Sequence, residues 1–299
     1  MPQLPPDERK ALEKHWRTPA GIAWPTIALS LAVLVGYVAS TAAAVTGALS
    51  FAFAIPLNTL LAYLAFTPAH EAGHGNIAGS VKAARPLEAA IGWMMAGILS
   101  APYPGLRYLH LQHHSHTNDP ENDPDFRVAG SGFFRVALRC LTVERGYGAV
   151  VRRLLERNSR GMQEAAAQAR PWTLFSIVLW GSAIYFGFWL SLLLLWSLPA
   201  VLGLGLLAFA FDWLPHHPHD NRERYRDTRV LLGAGLGTVL LGQNYHLIHH
   251  LYPRVPFYRY ATCFGEVRPV LDAERSPIQV AWGRDALASP GGDVDRAAG

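Results

Sequence analysis

Between Arg17 and Glu71 the chain carries no Asp, Glu, Lys or Arg, and between Arg170 and Asp212 it again carries none. A helix needs about 20 apolar residues to cross the hydrocarbon core of a bilayer, so each uncharged stretch is long enough for two crossings and a tight turn. We therefore expect an all-α integral membrane fold with four transmembrane helices in two hairpins, at Gly21 to Ser40, Ala43 to Phe66, Trp172 to Leu190 and Ser191 to Phe211. Bulk composition agrees, with 51% hydrophobic and only 16% charged residues, which makes a buried hairpin of a soluble domain the weaker alternative.

Topology follows from the cations. Every Lys and Arg lies in the N-terminal arm, the central segment or the C-terminal third, so two uncharged hairpins leave all of them on one side. The positive-inside bias makes that side the cytoplasm, with both termini on it. Attraction to anionic lipid then accounts for the net charge of +4, and no nucleic-acid partner is called for.

The chain divides into a cytoplasmic arm over residues 1–20, a membrane domain over 21–278 and a Gly-, Ala-, Ser- and Asp-rich tail over 279–299 that is expected to be disordered. The arm lacks the pattern of a signal peptide, and its Glu8 to Trp16 stretch reads as a helix lying on the membrane surface. Pro68 is expected to open a new helical turn just beyond the bilayer. Two apolar runs, Leu87 to Ala101 and Val230 to Leu241, are too short to span and read as re-entrant or interfacial segments. Phe126 to Arg170, with Arg152, Arg153, Arg157 and Arg160, reads as a cytoplasmic helical segment facing lipid. Cys140 and Cys263 are far apart and expected to be unpaired.

Histidine is distributed as sharply as charge. Of the 13 histidines only His15 lies outside four groups, namely His70/His74, His110/His113/His114/His116, His216/His217/His219 and His246/His249/His250. Residues at i, i+3 and i+4 share one helix face, so each triplet is expected to converge on a single point. Buried imidazoles without a metal would leave unpaired nitrogens that each cost about 1–3 kcal/mol. A metal centre is the economical reading. About nine well-spaced imidazoles and no useful cysteine exceed what one zinc or iron ion takes. They suit two ions of higher coordination number, and two irons with open positions for dioxygen are the natural choice. Glu71, Asp119, Asp123, Asp125 and Asp212 are expected to accept from the far ring N–H groups. A rival from another class is an intramembrane zinc protease, since His70-Glu71-Ala72-Gly73-His74 fits H-E-x-x-H with Glu71 as base. That reading leaves the other histidines without a task.

The spacings HxxxH at His70/His74 and HxxHH at both His110/His113/His114 and His246/His249/His250 resemble the three histidine boxes of the membrane fatty-acid desaturase and hydroxylase superfamily. The stretches HLQHHSHTNDPENDPD, FDWLPHHPH and GQNYHLIHHLYPRVP are similar to the box regions of cyanobacterial-type beta-carotene ring hydroxylases. The resemblance spans roughly Thr67 to Tyr260. It implies a four-helix stem, a cytoplasmic cap holding a non-haem di-iron site, and a ferredoxin or similar small electron donor. It also implies a further histidine ligand ahead of the third box, with a polar residue four positions earlier. His216 and Asp212 stand in that relation, and Pro215-His216-His217-Pro218 leaves open whether His217 or His219 contributes. The expected reaction is oxidation of an unactivated C–H bond with dioxygen and two electrons, first as hydroxylation of a carotenoid ring. An acyl-lipid desaturase and a carotenoid ketolase are the alternatives, and Trp93, Trp213 and Tyr245 are expected to line the cleft.

Overall fold

In the computed structural model residues 5–280 are described. Helices α1 (Pro6–Arg17), α2 (Trp24–Val45), α3 (Phe51–His74), α4 (Arg85–Ile98), α5 (Tyr103–His116), α6 (Phe133–Leu141), α7 (Val143–Glu156), α8 (Arg160–Gln168) and α9 (Arg170–Tyr185) follow in order. A long helix α10 then covers Trp189–His216, ahead of α11 (His246–Leu251) and α12 (Tyr260–Ala273). Strands β1 (Val230–Leu232) and β2 (Ile278–Val280) pair in parallel, with Val230 opposite Ile278.

Three helices, α2, α3 and α10, are long and apolar enough to cross a membrane. They pack on a core that includes Val33, Tyr37, Leu61, Ala62, Ala65, Met95, Leu207 and Phe211. The approach of α10 to α3 depends on Gly203, where an added Cβ would lie 3.0 Å from the Ala62 Cβ and 3.4 Å from the Thr59 carbonyl. Helix α9 has 16 residues and leaves Leu174, Ile177 and Val178 exposed.

The structure corrects several boundaries. Pro68 does not open a new turn, because α3 runs unbroken through Pro56 and Pro68 to His74 and stops where Gly75 turns left-handed at φ 77°. His70 and His74 are thus fixed to a candidate spanning helix. Likewise α10 does not end at Phe211, so Asp212 and His216 ride on its last turns. Two stretches of α10, Leu193–Ser197 and Ala208–Trp213, are wound as π-helix. Each immediately precedes a Leu-Pro pair, Leu198-Pro199 and Leu214-Pro215. A proline cannot donate to the carbonyl four residues back and its ring crowds that group, and local widening of the helix gives both room.

The run at Val230 to Leu241, expected to be re-entrant or interfacial, opens as strand β1 and continues into one helical turn at Leu236–Val239. Strand β2 contains Gln279 and Val280, which the sequence assigned to the tail, while 281–299 lie outside the described residues. Helix α1 forms as expected, but its apolar side meets protein. Trp16 is buried, donates to a Glu266 carboxylate oxygen at 3.0 Å and lies beneath the Arg259 guanidinium at 4.8 Å. Cys140 and Cys263 are free and buried.

The carbonyl left by Pro199 belongs to Leu195, and it accepts from the Tyr37 hydroxyl at 2.9 Å and from the Asn58 amide at 2.9 Å. Both donors come from the first hairpin, so a defect in α10 becomes a tie between helices. Asn58→Leu is expected to cost about 1–3 kcal/mol and to lower the thermal midpoint in detergent. Adding Pro199→Ala to that variant returns an N–H to the carbonyl and should recover part of the loss.

Candidate metal centre

Four chain segments bring the histidines together. Helix α3 supplies His70 and His74, α5 supplies His110, His113 and His114, the end of α10 supplies His216, and α11 supplies His246, His249 and His250. Their ligand atoms fall into two adjoining groups, His70/His74/His110/His114/His249 and His113/His216/His246/His250, each within 4.8 Å. The expectation that each triplet converges on one point does not hold. In a helix the residue at i+4 lies about 40° from i, whereas i+3 lies about 60° to the other side. Each triplet therefore gives its i, i+4 pair to one group and its i+3 member to the other. Helix α5 sends His110 and His114 to the five-histidine group and His113 across, and α11 sends His246 and His250 to the four-histidine group and His249 across.

The ring nitrogens meet in a way that protons alone cannot satisfy. Nε2 to Nε2 distances run 2.7 Å for His74–His110, 3.0 Å for His110–His114, 2.8 Å for His114–His249 and 3.0 Å for His249–His70. Each Nε2 carries at most one proton, so no assignment makes all four contacts hydrogen bonds. In the second group the His246 Nδ1 donates to the Gln243 side-chain carbonyl at 3.0 Å, and the His113 Nδ1 donates to Asp123 at 2.8 Å. In neutral rings this leaves both Nε2 atoms bare. They flank the His250 Nε2 at 3.2 and 3.3 Å, whose single proton serves only one. A second proton on His113 would only move the shortfall to the His246–His250 contact. Both nitrogens of the buried His216 lack any partner. Convergent lone pairs in a buried site fit a pair of metal ions.

Electrostatics favour the same reading. Burial holds His110, His114, His246, His249 and His250 well below the ordinary histidine pKa, which keeps them as neutral ligands. Burial also opposes charge on His113, but Asp123 and Asp125 outweigh it and raise the ring to about 10. Those carboxylates stabilise positive charge at this ring, whether proton or metal, and strengthen it as a donor.

The other expected site residues separate clearly. Asp123 bonds to His113 and also accepts from the Asn118 N–H at 2.7 Å. Asp125 lies 3.3 Å from the His113 Nδ1. Asp212 lines the cavity between the two groups and receives the Tyr147 hydroxyl at 3.5 Å. Glu71 is buried beside His70 yet bonds to Asn76 at 3.2 Å, not to a histidine, and Asp119 pairs with Arg222 at 3.1 Å. His116 turns back to Gln112 at 3.1 Å, and His217 stacks on Trp213 at 4.8 Å. His219 is buried with both nitrogens unpartnered, its ring 6.0 Å from that of His216.

The sequence did not reveal Gln243, Tyr147 or Tyr260, whose hydroxyl meets the His249 Nδ1 at 3.0 Å. A polar residue three positions ahead of His246 was a usable signal for Gln243, whereas nothing local marks the two tyrosines. The aromatic lining expected from Trp93, Trp213 and Tyr245 falls to Phe66 and Phe211, which bound the cavity with His70, His110, His113, His246, Asp125, Asp212 and Gln243. Trp93 instead packs on Tyr103 and Tyr245 on Phe264.

Fold and site together define a class: a mostly helical protein with helices suited to a membrane and two adjoining histidine groups able to hold metal. The chain matches the fatty acid desaturase family over residues 46–282 and belongs to it, within the membrane desaturase and hydroxylase superfamily of oxidoreductases. It is 32% identical over 204 residues to the beta-carotene ketolase of Paracoccus sp. (strain PC1), covering 65% of this chain and 71% of that protein. It is 24% identical over 242 residues to the chloroplastic sn-2 acyl-lipid omega-3 desaturase (ferredoxin) of Arabidopsis thaliana, covering 69% and 52%. It is 28% identical over 222 residues to the dihydrorhizobitoxine desaturase of Bradyrhizobium elkanii, covering 64% and 60%.

Partners of metal-bound histidines typically contribute 10–100-fold to metal affinity. Tyr260→Phe is therefore expected to weaken iron retention by about that factor in a chelator competition. His116→Ala should leave it unchanged, since that ring faces away from both groups.

Proposed function

We propose that this chain is a membrane di-iron oxygenase acting on a ring carbon of a carotenoid. The observation that carries the reading is the partition of nine histidines into groups of five and four, with His70 and His110 of one group and His113 and His246 of the other lining one cavity, joined to the likeness to a beta-carotene ketolase. Two irons, when bound, supply the activation of dioxygen with two electrons from a ferredoxin-like carrier. The ligands are His70, His74, His110, His114 and His249 for one ion and His113, His216, His246 and His250 for the other.

The chain's own groups supply position and exclusion of water. Phe66 and Phe211 present an apolar wall that holds an uncharged target C–H bond against the histidines. Asp123 and Asp125 fix the His113 ring, and Gln243 fixes the tautomer of His246. One dioxygen, two electrons and two protons convert a C–H to a C–OH and release one water. A second round at the same carbon gives a geminal diol that loses water to a ketone. The box residues resemble ring hydroxylases and the relatives carry ketolase names, so a ring hydroxyl and a ring ketone are both supported as products.

Four crossings, α2, α3, α9 and α10, complete the proposal, with the histidine groups on the cytoplasmic side, a reading supported by the cation distribution of the sequence. Helix α10 must end at His216 beside the other boxes, so its Trp189 end lies across the bilayer. Helix α9, whose 16 residues reach about 24 Å, is the route there from Arg170. A second reading, an acyl-lipid desaturase, is supported by the omega-3 desaturases that match over 69% of the chain.

Expression in a bacterium that accumulates beta-carotene, with a ferredoxin and its reductase, discriminates the readings. Pigments carrying ring hydroxyls, ring ketones or both are expected, with unchanged host fatty acids. Untouched pigment together with new double bonds in the host lipids would overturn the carotenoid assignment.

A further inference from the structure

Among the described residues helix α6 has a marked division of faces, and apart from the Leu141 contact with Gly205 and the Arg139 guanidinium donating to the Ala129 carbonyl only its Val136/Cys140 face meets protein. On a wheel of about 100° per residue, Val136 and Cys140 share one sector and are buried against Ala208 and Val128. Arg135 and Arg139 share a second sector. Phe134, Leu138 and Leu141 fill a third and are 86%, 65% and 48% exposed, while Phe133, at the edge of the buried sector on the first turn, is 78% exposed. The helix has no acidic residue. An apolar sector facing outward with cations to one side is the pattern of a helix seated at a membrane interface.

Its place on the fold gives the depth. Leu141 and Cys140 pack on Gly205 of α10, where an added Cβ would meet the Leu141 side chain at 2.9 Å and the Cys140 carbonyl at 3.7 Å. Asp212 is the first charged residue reached along α10 from its N-terminal end, and Gly205 lies roughly 10 Å before it on the apolar side. The outer surface of α10 continues the patch through Leu206 and Phe209, which are also exposed. Phe209 stacks on Trp213 at 5.3 Å, and the Trp213 indole N–H donates to the Gly130 carbonyl just ahead of α6 at 3.0 Å.

We infer that α6 is a membrane-inserted wedge, with Phe133, Phe134 and Leu138 among lipid acyl chains, Leu141 at their edge against α10, and Arg135 at anionic headgroups. This rests on the proposed membrane embedding of α2, α3 and α10. Long cationic side chains reach the interface while their stems stay in apolar surroundings. The wedge grips the π-helical stretch of α10 that carries Asp212 and precedes His216, so the bilayer braces one wall of the metal centre.

Spin labels test the inference with no reference to activity. Single cysteines replace Phe134, Leu138 and Arg135 in the full chain carrying Cys140→Ala and Cys263→Ala, reconstituted in phosphatidylethanolamine vesicles containing phosphatidylglycerol. Leu31, an exposed residue of α2, serves as the lipid control and Glu121 as the aqueous control. Labels at 134 and 138 are expected to collide several-fold more with oxygen than with a water-soluble nickel chelate, approaching the label at 31, with 135 in between. Nickel access at 134 and 138 equal to that at 121, with 31 still in lipid, would overturn the wedge alone. Labels there that are immobile and shielded from both quenchers would mean that protein covers the face, which also overturns it. Nickel access at 31 would instead remove the membrane reading itself.

Discussion

Ring nitrogens that converge with too few protons to pair them need cations between them, and the rest of this structure is arranged to create six such Nε2 contacts among eight of the nine histidines. Six side chains in the two groups, those of His70, His74, His113, His216, His246 and His249, are buried, and His110, His114 and His250 are half-buried. Water therefore does not relieve the mismatch. The second-group rings are further pinned from behind by Asp123 and Gln243, which turn bare nitrogens inward. Such an arrangement is costly as a proton-bonded core and favourable as a ligand cage. Burial of the rings and loss of their charge are then the same event, since low dielectric keeps the imidazoles neutral and available.

The membrane helices make this cage possible by supplying rigid posts. Helix α3 passes Pro68 without breaking and delivers His70 and His74 from within a candidate span. Helix α10 delivers His216 from its last turn, after two π-helical stretches that make room for Pro199 and Pro215. The freed Leu195 carbonyl is taken up by Tyr37 and Asn58, so that the irregularity ties the two long helices together. The two histidine groups thus lie at the ends of two candidate spanning helices.

How far the sequence foretold this depended on the range of the interaction concerned. Charge-free runs and histidine spacing are local, and they marked the long helices and all nine histidines now seen in the two groups. The separation of each triplet is also a local consequence of helix geometry, but its direction is not. Whether His113 or His110 crosses to the other group depends on how α5 lies against α11, which no single segment encodes. Carboxylates were legible only by type: Asp123 and Asp125 reach His113, whereas Asp119 is drawn off by Arg222 and Glu71 by Asn76. Tyr260 was invisible because it lies on a different helix from the ring it meets, His249. The helix end at His74 differs from expectation because Pro68 reads as a boundary, and the end at His216 because the uncharged run stops at Phe211, whereas α3 and α10 both continue past those points.

The central claim is that nine imidazoles hold two irons. Elemental analysis of the purified chain after anaerobic loading with ferrous iron, read with X-ray absorption at the iron edge, tests it most directly. The account predicts two irons per chain, each in a shell rich in nitrogen. Saturation at one metal ion per chain, or a single tightly held zinc that iron does not displace, would contradict it.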